Sequence, residues 1–251
     1  MQSEPYLALW LSLVGDRPNN QDRCAVLKSG DTIVLALADG LGGHPRGEVA
    51  AQMFVDICES MLRRAQLPLA NPLGFIDMCI RRANDAVIAY GQRQDPPICP
   101  RSTAVLCVLQ DGVSWWGHIG DSRLYLLREK RVFARTRDHS RTEPTRQADG
   151  TILSGPGITR CLGGYEQPPA ASFGPQTTLL AGDTLLLCSD GLWGQLQHDE
   201  LLRLCGNTDL RAGLLEAVER AAEHPRSDNI TAVALRWGPH DDTQAPPVQT
   251  A

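Results

Sequence analysis

The amino-acid sequence predicts an α+β fold made of antiparallel sheets and paired helices. Blocks of apolar strands alternate with pairs of helical segments rather than with single helices, which argues against a parallel βαβ arrangement. Short turn sequences, "DG" at 111–112 and "GDS" at 120–122, separate strands in the middle of the chain, as in antiparallel hairpins. The 251 residues are enough to bury a large core, and no repeat or internal boundary divides them.

The first half of the chain alternates strand and helix patterns. "YLALWLSLV" at 6–14 predicts a strand, because the run is too short to span a bilayer and lacks a basic leader and a small-residue cleavage site. "TIVLALA" at 32–38 is apolar throughout, which predicts a strand buried on both faces. Apolar residues recur at four-residue spacing over 47–65, and a second helical pattern covers 73–93.

The second half repeats this layering. Residues 102–110, 113–120 and 123–129 are predicted to form an antiparallel meander, followed by a strand within 184–190. Two further helices lie near 198–205 and 208–223, and 229–237 predicts the last strand. We therefore expect one domain over 1–237 and a polar, Pro-rich, disordered tail over 238–251.

Charge and cysteine usage narrow the class of protein. The net charge of −5 and the scattered Lys and Arg residues provide no basic field for nucleic acid. The eight cysteines lie mostly in apolar segments and form no CxxC pair, as expected of small core residues in a reducing compartment. We expect a cytoplasmic monomer with no nucleic-acid partner and no membrane insertion.

Four acids recur at the ends of apolar strands. Asp39 follows "TIVLALA", Asp121 follows the strand at 113–120, Asp190 follows "TLLLCS", and Asp228 precedes the last strand. Taken singly, each is better explained as a turn former, a cap or a surface charge. If the four share one edge of the sheets, their repulsion requires neutralising cations, so the set predicts a polynuclear metal site.

Seven short motifs occur in a fixed order along the chain. They are "GDRPNNQD" (15–22), "ADGLGGH" (38–44), "GDSR" (120–123), "DHS" (138–140), "ITRCLGG" (158–164), "SDGLW" (189–193) and "SDNITAV" (227–233). Together they resemble the metal-dependent Ser/Thr protein phosphatases of the type-2C family, in its compact bacterial form, over roughly residues 8–237. The resemblance implies an αββα sandwich of two antiparallel sheets flanked by helix pairs, with metals in a cleft at one edge.

The resemblance also implies a metal site with two Mn²⁺ or Mg²⁺ ions and a third, weaker position. Asp39 would bridge the two ions, and the Gly40 carbonyl would join it at the second ion. Asp190 and Asp228 would complete the ligands of the first ion. Asp121 would pair with Asp190 at the third position.

Two further residues have roles implied by the resemblance. Asp22 would orient metal-bound water without touching the metal. Arg17 matches the family's phosphate-binding arginine, and its guanidinium fork suits phosphate oxygens better than a lysine would. A hydroxide made by the adjacent cations would then attack phosphorus in line, without a phosphoenzyme.

The sequence departs from the family pattern at three places. Gln21 stands where many members have Glu, and Leu41 stands where some eukaryotic members have a histidine after the Asp-Gly pair. His44 is the nearest alternative proton donor, and a role in capping the helix that starts near Gly47 is equally consistent with its position. The segment 141–157 is shorter than the family's substrate-gating loop and rich in Gly and Pro.

Other conspicuous residues have structural explanations. His139 in "DHS" is interpreted as a structural hydrogen-bonding residue rather than a metal ligand. Trp115 and Trp116 alternate across a strand, so at least one of them should pack in the core. His118, on the face of Trp116, is interpreted as a satisfied buried polar group.

Three functions follow from these observations. The first is a phosphatase acting on phosphoserine and phosphothreonine proteins, opposing a cognate Ser/Thr kinase. The alternative is a catalytically silent relative that binds phosphoproteins as a regulatory module, although none of the matched acids is missing. A third is an enzyme of the same fold that serves as a switch inside a larger assembly, such as a secretion apparatus.

Overall fold

The structure is a computed structural model that describes residues 5–141, 145–146, 152–153, 157–164 and 170–239. Its helices are α1 (Gly47–Arg64), α2 (Pro72–Gln92), α3 (Asp190–Trp193), α4 (His198–Cys205) and α5 (Leu210–Ala222). Its strands are β1 (Tyr6–Leu13), β2 (Asp22–Ser29), β3 (Thr32–Asp39), β4 (Ala104–Gln110), β5 (Val113–Ile119), β6 (Arg123–Arg128), β7 (Arg131–Arg135), β8 (Ser140–Arg141), β9 (Thr145–Arg146), β10 (Ile152–Leu153), β11 (Gly157–Ile158), β12 (Ser172–Phe173), β13 (Thr177–Thr178), β14 (Thr184–Cys188) and β15 (Ile230–Trp237).

Two antiparallel sheets form the centre of the molecule. One has the order β1-β15-β14-β6-β7, and the other has the order β12-β5-β4-β3-β2, with β13 also pairing with β5. The sheets pack face to face through a shared core that includes Leu35 and Val105 from one and Leu124, Leu187 and Val233 from the other. Helices α1 and α2 cover the outer face of the second sheet, and α4 and α5 cover the outer face of the first. The predicted αββα sandwich is confirmed.

Strand β3 shows why the sequence predicted this layering. Val34 and Ala36 pack against the helices α1 and α2, whereas Leu35 and Leu37 pack against the other sheet. A strand between a helix layer and a second sheet has no wet face, so its sequence is apolar at every position. Helix α1 adds Phe54 and other residues to the outer core.

The prediction of a meander over 102–129 is wrong at its second turn. Strands β4 and β5 form a hairpin, but β6 pairs with β14 and β7 in the other sheet. The segment 120–122 therefore crosses from one sheet to the other, and a Ser122–Thr103 hydroxyl contact of 2.7 Å links them there. Both faces of β6 are buried, with Leu124 between the sheets and Tyr125 under the helices. Its position between β14 and β7 in the first sheet covers both of these apolar faces. A short Gly-containing turn fits a hairpin and a crossing equally well.

The helices and cysteines agree with the sequence predictions. Side chains of Asn71 and Asp209 accept backbone N–H hydrogen bonds at the starts of α2 and α5. Six cysteines are buried, Cys24 is half-buried and Cys99 is exposed. Burial raises the pKa of the Cys24 and Cys205 thiols to about 12, so neither is a thiolate at neutral pH.

The sequence predicts a disordered tail over 238–251 and a short, Gly- and Pro-rich segment over 141–157. The expected disordered tail lies almost wholly outside the described residues, which end at 239. In segment 141–157, β8 pairs with β11 and β9 pairs with β10. Among the described residues, no helix combines the length and apolarity needed to cross a bilayer.

Candidate active site

A cleft of about 920 Å³ opens where the two sheets end together. Asp39 is the last residue of β3, Asp190 lies two residues beyond β14, and Asp228 lies two residues before β15. Because β14 and β15 are antiparallel neighbours, the end of one and the start of the other lie at the same edge. All the predicted site residues except the buried Asp22 line this cleft, namely Arg17, Asp39, Gly40, His44, Asp121, Asp190 and Asp228.

Asp22 lies behind the cleft, directly opposite Asp39 in the register of β2 and β3. Its side chain is 2% exposed, and Ser189 Oγ donates a hydrogen bond of 2.8 Å to its Oδ2. No hydrogen-bond partner among the described residues reaches its buried Oδ1. Burial raises the pKa of Asp22 to about 7, against the hydrogen bonds of Thr231 and Ser189.

The cleft acids destabilise one another's ionised forms. Burial, followed by the charges of Asp22 and Asp190, raises the pKa of Asp39 well above its usual range. Burial and then Asp228 raise the pKa of Asp190, and burial and then Asp190 raise that of Asp121 to about 7. This is the mutual repulsion expected of carboxylates gathered at one edge of the sheets.

Backbone contacts fix the Asp39–Gly40 turn. The Asp39 carbonyl accepts hydrogen bonds from Thr103 N–H at 2.8 Å and from Ser102 Oγ at 2.9 Å. Gly40 packs so closely on the first residue of α1 that a Cβ would lie 2.4 Å from the Gly47 carbonyl carbon. Any side chain at Gly40 would therefore push the acid-bearing turn away from α1.

Arg17 pairs with one of the acids. Its Nη2 donates a hydrogen bond of 2.7 Å to Asp228 Oδ2, and both side chains are partly exposed in the cleft. Asn229 anchors the loop that carries Arg17, because its Nδ2 donates to the Val14 and Asn19 carbonyls and its Oδ1 accepts from Gln21 N–H. Sequence reasoning missed Asn229, although its position directly after Asp228 in "SDN" was a usable signal.

A second set of contacts, also missed from the sequence, supports Asp121. Trp193 Nε1 donates a hydrogen bond of 3.0 Å to the Asp121 carbonyl. The Arg123 guanidinium stacks on the Trp193 ring at 3.4 Å and makes two hydrogen bonds to Asp138, at 2.9 and 2.7 Å. Asp121 Oδ1 is buried and has no partner among the described residues. The motifs "GDSR", "DHS" and "SDGLW" thus meet around one carboxylate.

The three conspicuous histidines occupy different environments. His139 accepts from Gly120 N–H at 3.3 Å and contacts Ser172 Oγ at 2.8 Å, in line with the structural role predicted for it. His118 stacks on His139 with ring centroids 4.5 Å apart and contacts the Arg137 carbonyl through Nε2. The prediction that His118 is satisfied is only half right, because its buried Nδ1 has no partner in the described chain.

His44 lies at the cleft and does not cap α1. The N-cap of α1 is Arg46, and no side chain makes a capping hydrogen bond there. The His44 backbone N–H donates to the Leu41 carbonyl, which folds the glycine-rich loop back on itself. Burial, followed by the charge of Arg101, lowers the pKa of His44. The capping alternative is therefore not observed, and the side chain is left facing the site.

Comparison with known proteins identifies the family. A family model of protein phosphatase 2C matches residues 14–224. The chain belongs to the protein phosphatase 2C family. Within it, the serine/threonine protein phosphatase PstP of Mycobacterium tuberculosis is 31% identical over 242 residues, covering 92% of this chain and 45% of PstP. A putative 2C-type phosphatase of Streptococcus pyogenes is 30% identical over 240 residues, covering 91% of this chain and 95% of that protein.

Solved structures of the family share the fold. The catalytic domain of PstP in complex with two manganese ions has a TM-score of 0.72 and 27% identity, covering 92% of this chain and 97% of that domain. PppA, described as a key regulatory component of T6SS in Pseudomonas aeruginosa, has a TM-score of 0.74 and 28% identity, covering 92% of this chain and 97% of PppA. The chain spans about half the length of the curated PstP that it matches.

The donor atoms of this 2C-family cleft fit hard divalent cations. The acids supply carboxylate oxygens, and two of these, Asp22 Oδ1 and Asp121 Oδ1, are buried without a hydrogen-bond partner among the described residues. The raised pKa values of Asp22 and Asp121 indicate that positive charge would be stabilising there. In the part of the chain that the structure describes, no three acidic, His or Cys side chains already surround one point.

Proposed function

We propose that this protein is a metal-dependent protein serine/threonine phosphatase, acting on phosphoserine and phosphothreonine in proteins. The observation that carries the proposal is the meeting of Asp39, Asp190 and Asp228 with Arg17 in one cleft. Family membership supplies the reaction class, and oxygen ligands with a guanidinium fit phosphoryl transfer to water. The thiols of Cys24 and Cys205 stay protonated at neutral pH, so these residues offer no thiolate nucleophile.

The proposed metal ligands are those that the resemblance to the family implies, and all of them line the cleft. Asp39, with the Gly40 carbonyl beside it, would hold the two ions between the sheets, and Asp190 and Asp228 would complete one of them. When bound, the ions supply a nucleophilic hydroxide and offset charge on the phosphoryl oxygens. Mn²⁺ is the metal found in the PstP complex, and Mg²⁺ has the same preference for oxygen ligands.

Asp22 and Asp121 would serve the site from opposite sides. Asp22 lies opposite Asp39 in the sheet register, and its Oδ1 has no hydrogen-bond partner among the residues that the structure describes. It would therefore accept a hydrogen bond or a proton from a water beside Asp39. Asp121 Oδ1 likewise has no hydrogen-bond partner among the described residues. Trp193 bonds only to the Asp121 backbone carbonyl, so the Asp121 side chain remains available to a cation. We assign Asp121 to a third, weaker cation position shared with Asp190.

Arg17 would bind the phosphoryl group. Its guanidinium has five N–H donors, and the contact with Asp228 uses one nitrogen, so the others are available for phosphate oxygens. The pairing with Asp228 fixes the side chain at the mouth of the cleft before substrate arrives. Pre-positioning of this kind reduces the entropy lost on binding.

His44 would protonate the leaving group. Its side chain lies in the same glycine-rich loop as Gly40, at the cleft, and it is not used to cap α1. A serine or threonine alkoxide is a poor leaving group, so a placed general acid accelerates its departure. The alternative proton donor is a water molecule. A comparison of phosphoserine peptide with p-nitrophenyl phosphate, whose leaving group needs no proton, distinguishes the two donors.

The proposed partners are phosphorylated proteins and the Ser/Thr kinase pathway that produces them. We further propose a monomer with a phosphatase domain over 1–237 that works in the cytoplasm as part of signalling. A catalytically silent phosphoprotein-binding module would be expected to lack metal acids, and this chain keeps all of those matched. The resemblance to PppA along 97% of its length favours the same reaction used within a larger assembly as a second possibility.

The direct test is hydrolysis by the purified protein of a phosphothreonine peptide and of p-nitrophenyl phosphate. We expect turnover of both with Mn²⁺ and none with excess EDTA. Phosphopeptide binding without turnover in Mn²⁺ or Mg²⁺ would favour the silent module instead. Turnover that persists in EDTA would contradict a metal-dependent reaction.

A further inference from the structure

Several arginines line the cleft, and they differ in whether they already have a partner. Arg17 is paired with Asp228 and Arg123 with Asp138. Arg101 also lines the cleft, yet the described residues offer its side chain neither a hydrogen bond nor an ion pair. Its Nε is buried and has no hydrogen-bond partner in the described part of the chain. A guanidinium is always charged, so a buried N–H without an acceptor is costly unless a ligand supplies one.

Arg101 is held in place by its surroundings. Its carbonyl accepts a hydrogen bond of 2.9 Å from Leu41 N–H, which attaches it to the glycine-rich loop after Asp39. Its guanidinium lies against Gly164, where an added Cβ would be 3.3 Å from the Arg101 Nε. The absence of a side chain at Gly164 thus leaves room for the guanidinium. The charge is fixed between the loop of His44 and the segment 161–164.

Arg101 and Arg17 have different neighbours in the cleft. Arg17 contacts Asp228 and lies close enough to Asp190 to favour its ionised form, and its Nη1 lies 3.9 Å from the position of a Cβ added at Gly42. Arg101 lies near His44 and Cys161, and its carbonyl accepts the hydrogen bond from Leu41 N–H. The phosphoryl group belongs with Arg17 and the acids, so Arg101 is placed for a second group of the substrate. A fork of N–H donors fits a carboxylate or a phosphate.

We propose that Arg101 binds an anionic side chain next to the phosphorylated residue, so that the enzyme prefers phosphopeptides with a flanking acidic group. The inference rests on the proposed function, because it names a substrate feature read at the same cleft. The anion is an Asp or Glu carboxylate or a second phosphate, which share the oxygen geometry that a guanidinium binds. Neither an uncharged flanking residue nor a small aryl phosphate would use Arg101.

The test compares four substrates with Mn²⁺ present. Three are phosphothreonine peptides of one sequence, with glutamate, glutamine or a non-hydrolysable phosphonate analogue of phosphoserine (called the phosphoserine peptide) on both sides of the phosphothreonine, and the fourth is p-nitrophenyl phosphate. The wild-type chain should show a lower KM for the glutamate and phosphoserine peptides than for the glutamine peptide. Arg101→Met, which keeps an unbranched stem, should raise KM for the charged peptides roughly tenfold. It should leave KM for the glutamine peptide and kcat/KM for p-nitrophenyl phosphate within about twofold.

Two variants serve as controls. Arg131→Met removes a charge from an exposed position on β7 outside the cleft, so it should leave all four substrates unchanged. Arg101→Lys keeps the charge but not the fork, so it should restore part of the preference. A preference lost only for the phosphoserine peptide would assign Arg101 to a second phosphate, and a preference lost only for glutamate would assign it to a carboxylate.

Failure of this proposal is distinguishable from failure of the proposed function. An equal loss on p-nitrophenyl phosphate and all peptides would place Arg101 at the phosphoryl group or the loop, and would overturn the proposal. Equal KM values of the wild-type protein for the glutamate, phosphoserine and glutamine peptides would also overturn it. If the wild-type protein hydrolyses nothing, the proposed function fails, and the same peptides carrying a non-hydrolysable phosphonate decide by binding. A tenfold weaker Kd of Arg101→Met for the glutamate or phosphoserine phosphonate peptide alone would still support Arg101 as the anion-binding residue.

Discussion

Arg17 and Asp228 lie 211 positions apart in the sequence and are joined by a hydrogen bond of 2.7 Å at the mouth of the cleft. One is expected to bind phosphate and the other a metal ion. In the absence of substrate and metal, each side chain therefore neutralises the charge of the other. Arg17 itself is not an expected metal ligand, so its contribution to phosphate binding can be measured in variants that keep all the acids.

Arg17→Ala should reduce kcat/KM for a phosphothreonine peptide by about 100-fold, because a guanidinium that contacts both Asp228 and phosphate is lost. Arg17→Lys should recover only part of the loss, since an ammonium lacks the fork. Steady-state kinetics with Mn²⁺ measures both. Arg81→Ala, which breaks a surface pair with Asp77 on α2, is the matched control and should have no effect. Equal activity of Arg17→Ala and Arg81→Ala would rule out phosphate binding by Arg17.

Asp39→Asn and Asp190→Asn should each lower turnover by at least about 1,000-fold, because each removes an anionic ligand from the proposed metal site. Both variants should melt at a higher temperature than the wild type in EDTA at neutral pH, because an amide avoids the free-energy cost of holding a carboxyl group whose pKa is raised by burial and by neighbouring acids. Thermal melts and Mn²⁺ titrations thereby separate a lost ligand from a misfolded chain. A fully active Asp39→Asn protein would contradict the assignment.

Metal-free stability should fall as the pH rises from 6.5 to 8. The pKa values of Asp22 and Asp121 are about 7 in the folded protein, against about 3.9 for an unfolded aspartate. The folded state therefore binds more protons, and the stability present below the unfolded pKa is lost as the pH passes through the folded one. Asp22 and Asp121 alone account for a loss of about 1.5 kcal/mol over this window. Asp39 and Asp190, whose pKa values are also raised, add to the loss. His44, His118 and His139 offset part of it, because burial lowers their pKa values in the folded state below that of an unfolded histidine.

Melting temperatures in EDTA at several pH values measure this loss. Excess Mn²⁺ should flatten or reverse the trend, because cations stabilise ionised carboxylates. Asp22→Asn should remove part of the slope in EDTA. A melting temperature that rises with pH in EDTA would show that the acids are not protonated in the folded protein.

His44→Ala should slow phosphoserine-peptide hydrolysis by ~10²-fold or more while changing p-nitrophenyl phosphate hydrolysis little, because p-nitrophenolate leaves without a proton. Activity on the peptide should decline as the pH rises through the pKa of His44, which burial and Arg101 place below the usual histidine value. Metal affinity should be unchanged. Equal losses on both substrates would instead assign His44 to the structure of the loop.

Asp121→Ala should weaken one cation position while leaving a tightly bound pair in place. Trp193 holds the Asp121 backbone rather than its side chain, so the variant should keep the loop geometry. Isothermal titration with Mn²⁺ should show the loss of the weakest binding event only. Binding of every ion unchanged would refute a third position at Asp121.

Much of the fold was predictable because local pattern reports which faces of an element are buried. Strand β3 is apolar at every position because helices cover one face and a sheet covers the other. The acids at strand ends were likewise visible, and the cleft collects Asp39, Asp121, Asp190 and Asp228. The sequence shows that each acid lies at the end of its strand. Because strand ends lie at the edges of a sheet, acids at these positions can come together in one cleft.

Tertiary structure alone decided how distant segments meet. The segment 120–122 changes sheets, which no turn sequence distinguishes from a hairpin, because the choice depends on the buried faces of β6. No local pattern shows the contact of Arg17 with Asp228, or that the Arg101 Nε lacks a partner among the described residues. Periodicity encodes a face, whereas pairing across the sandwich depends on the register of strands and the packing of two sheets against each other.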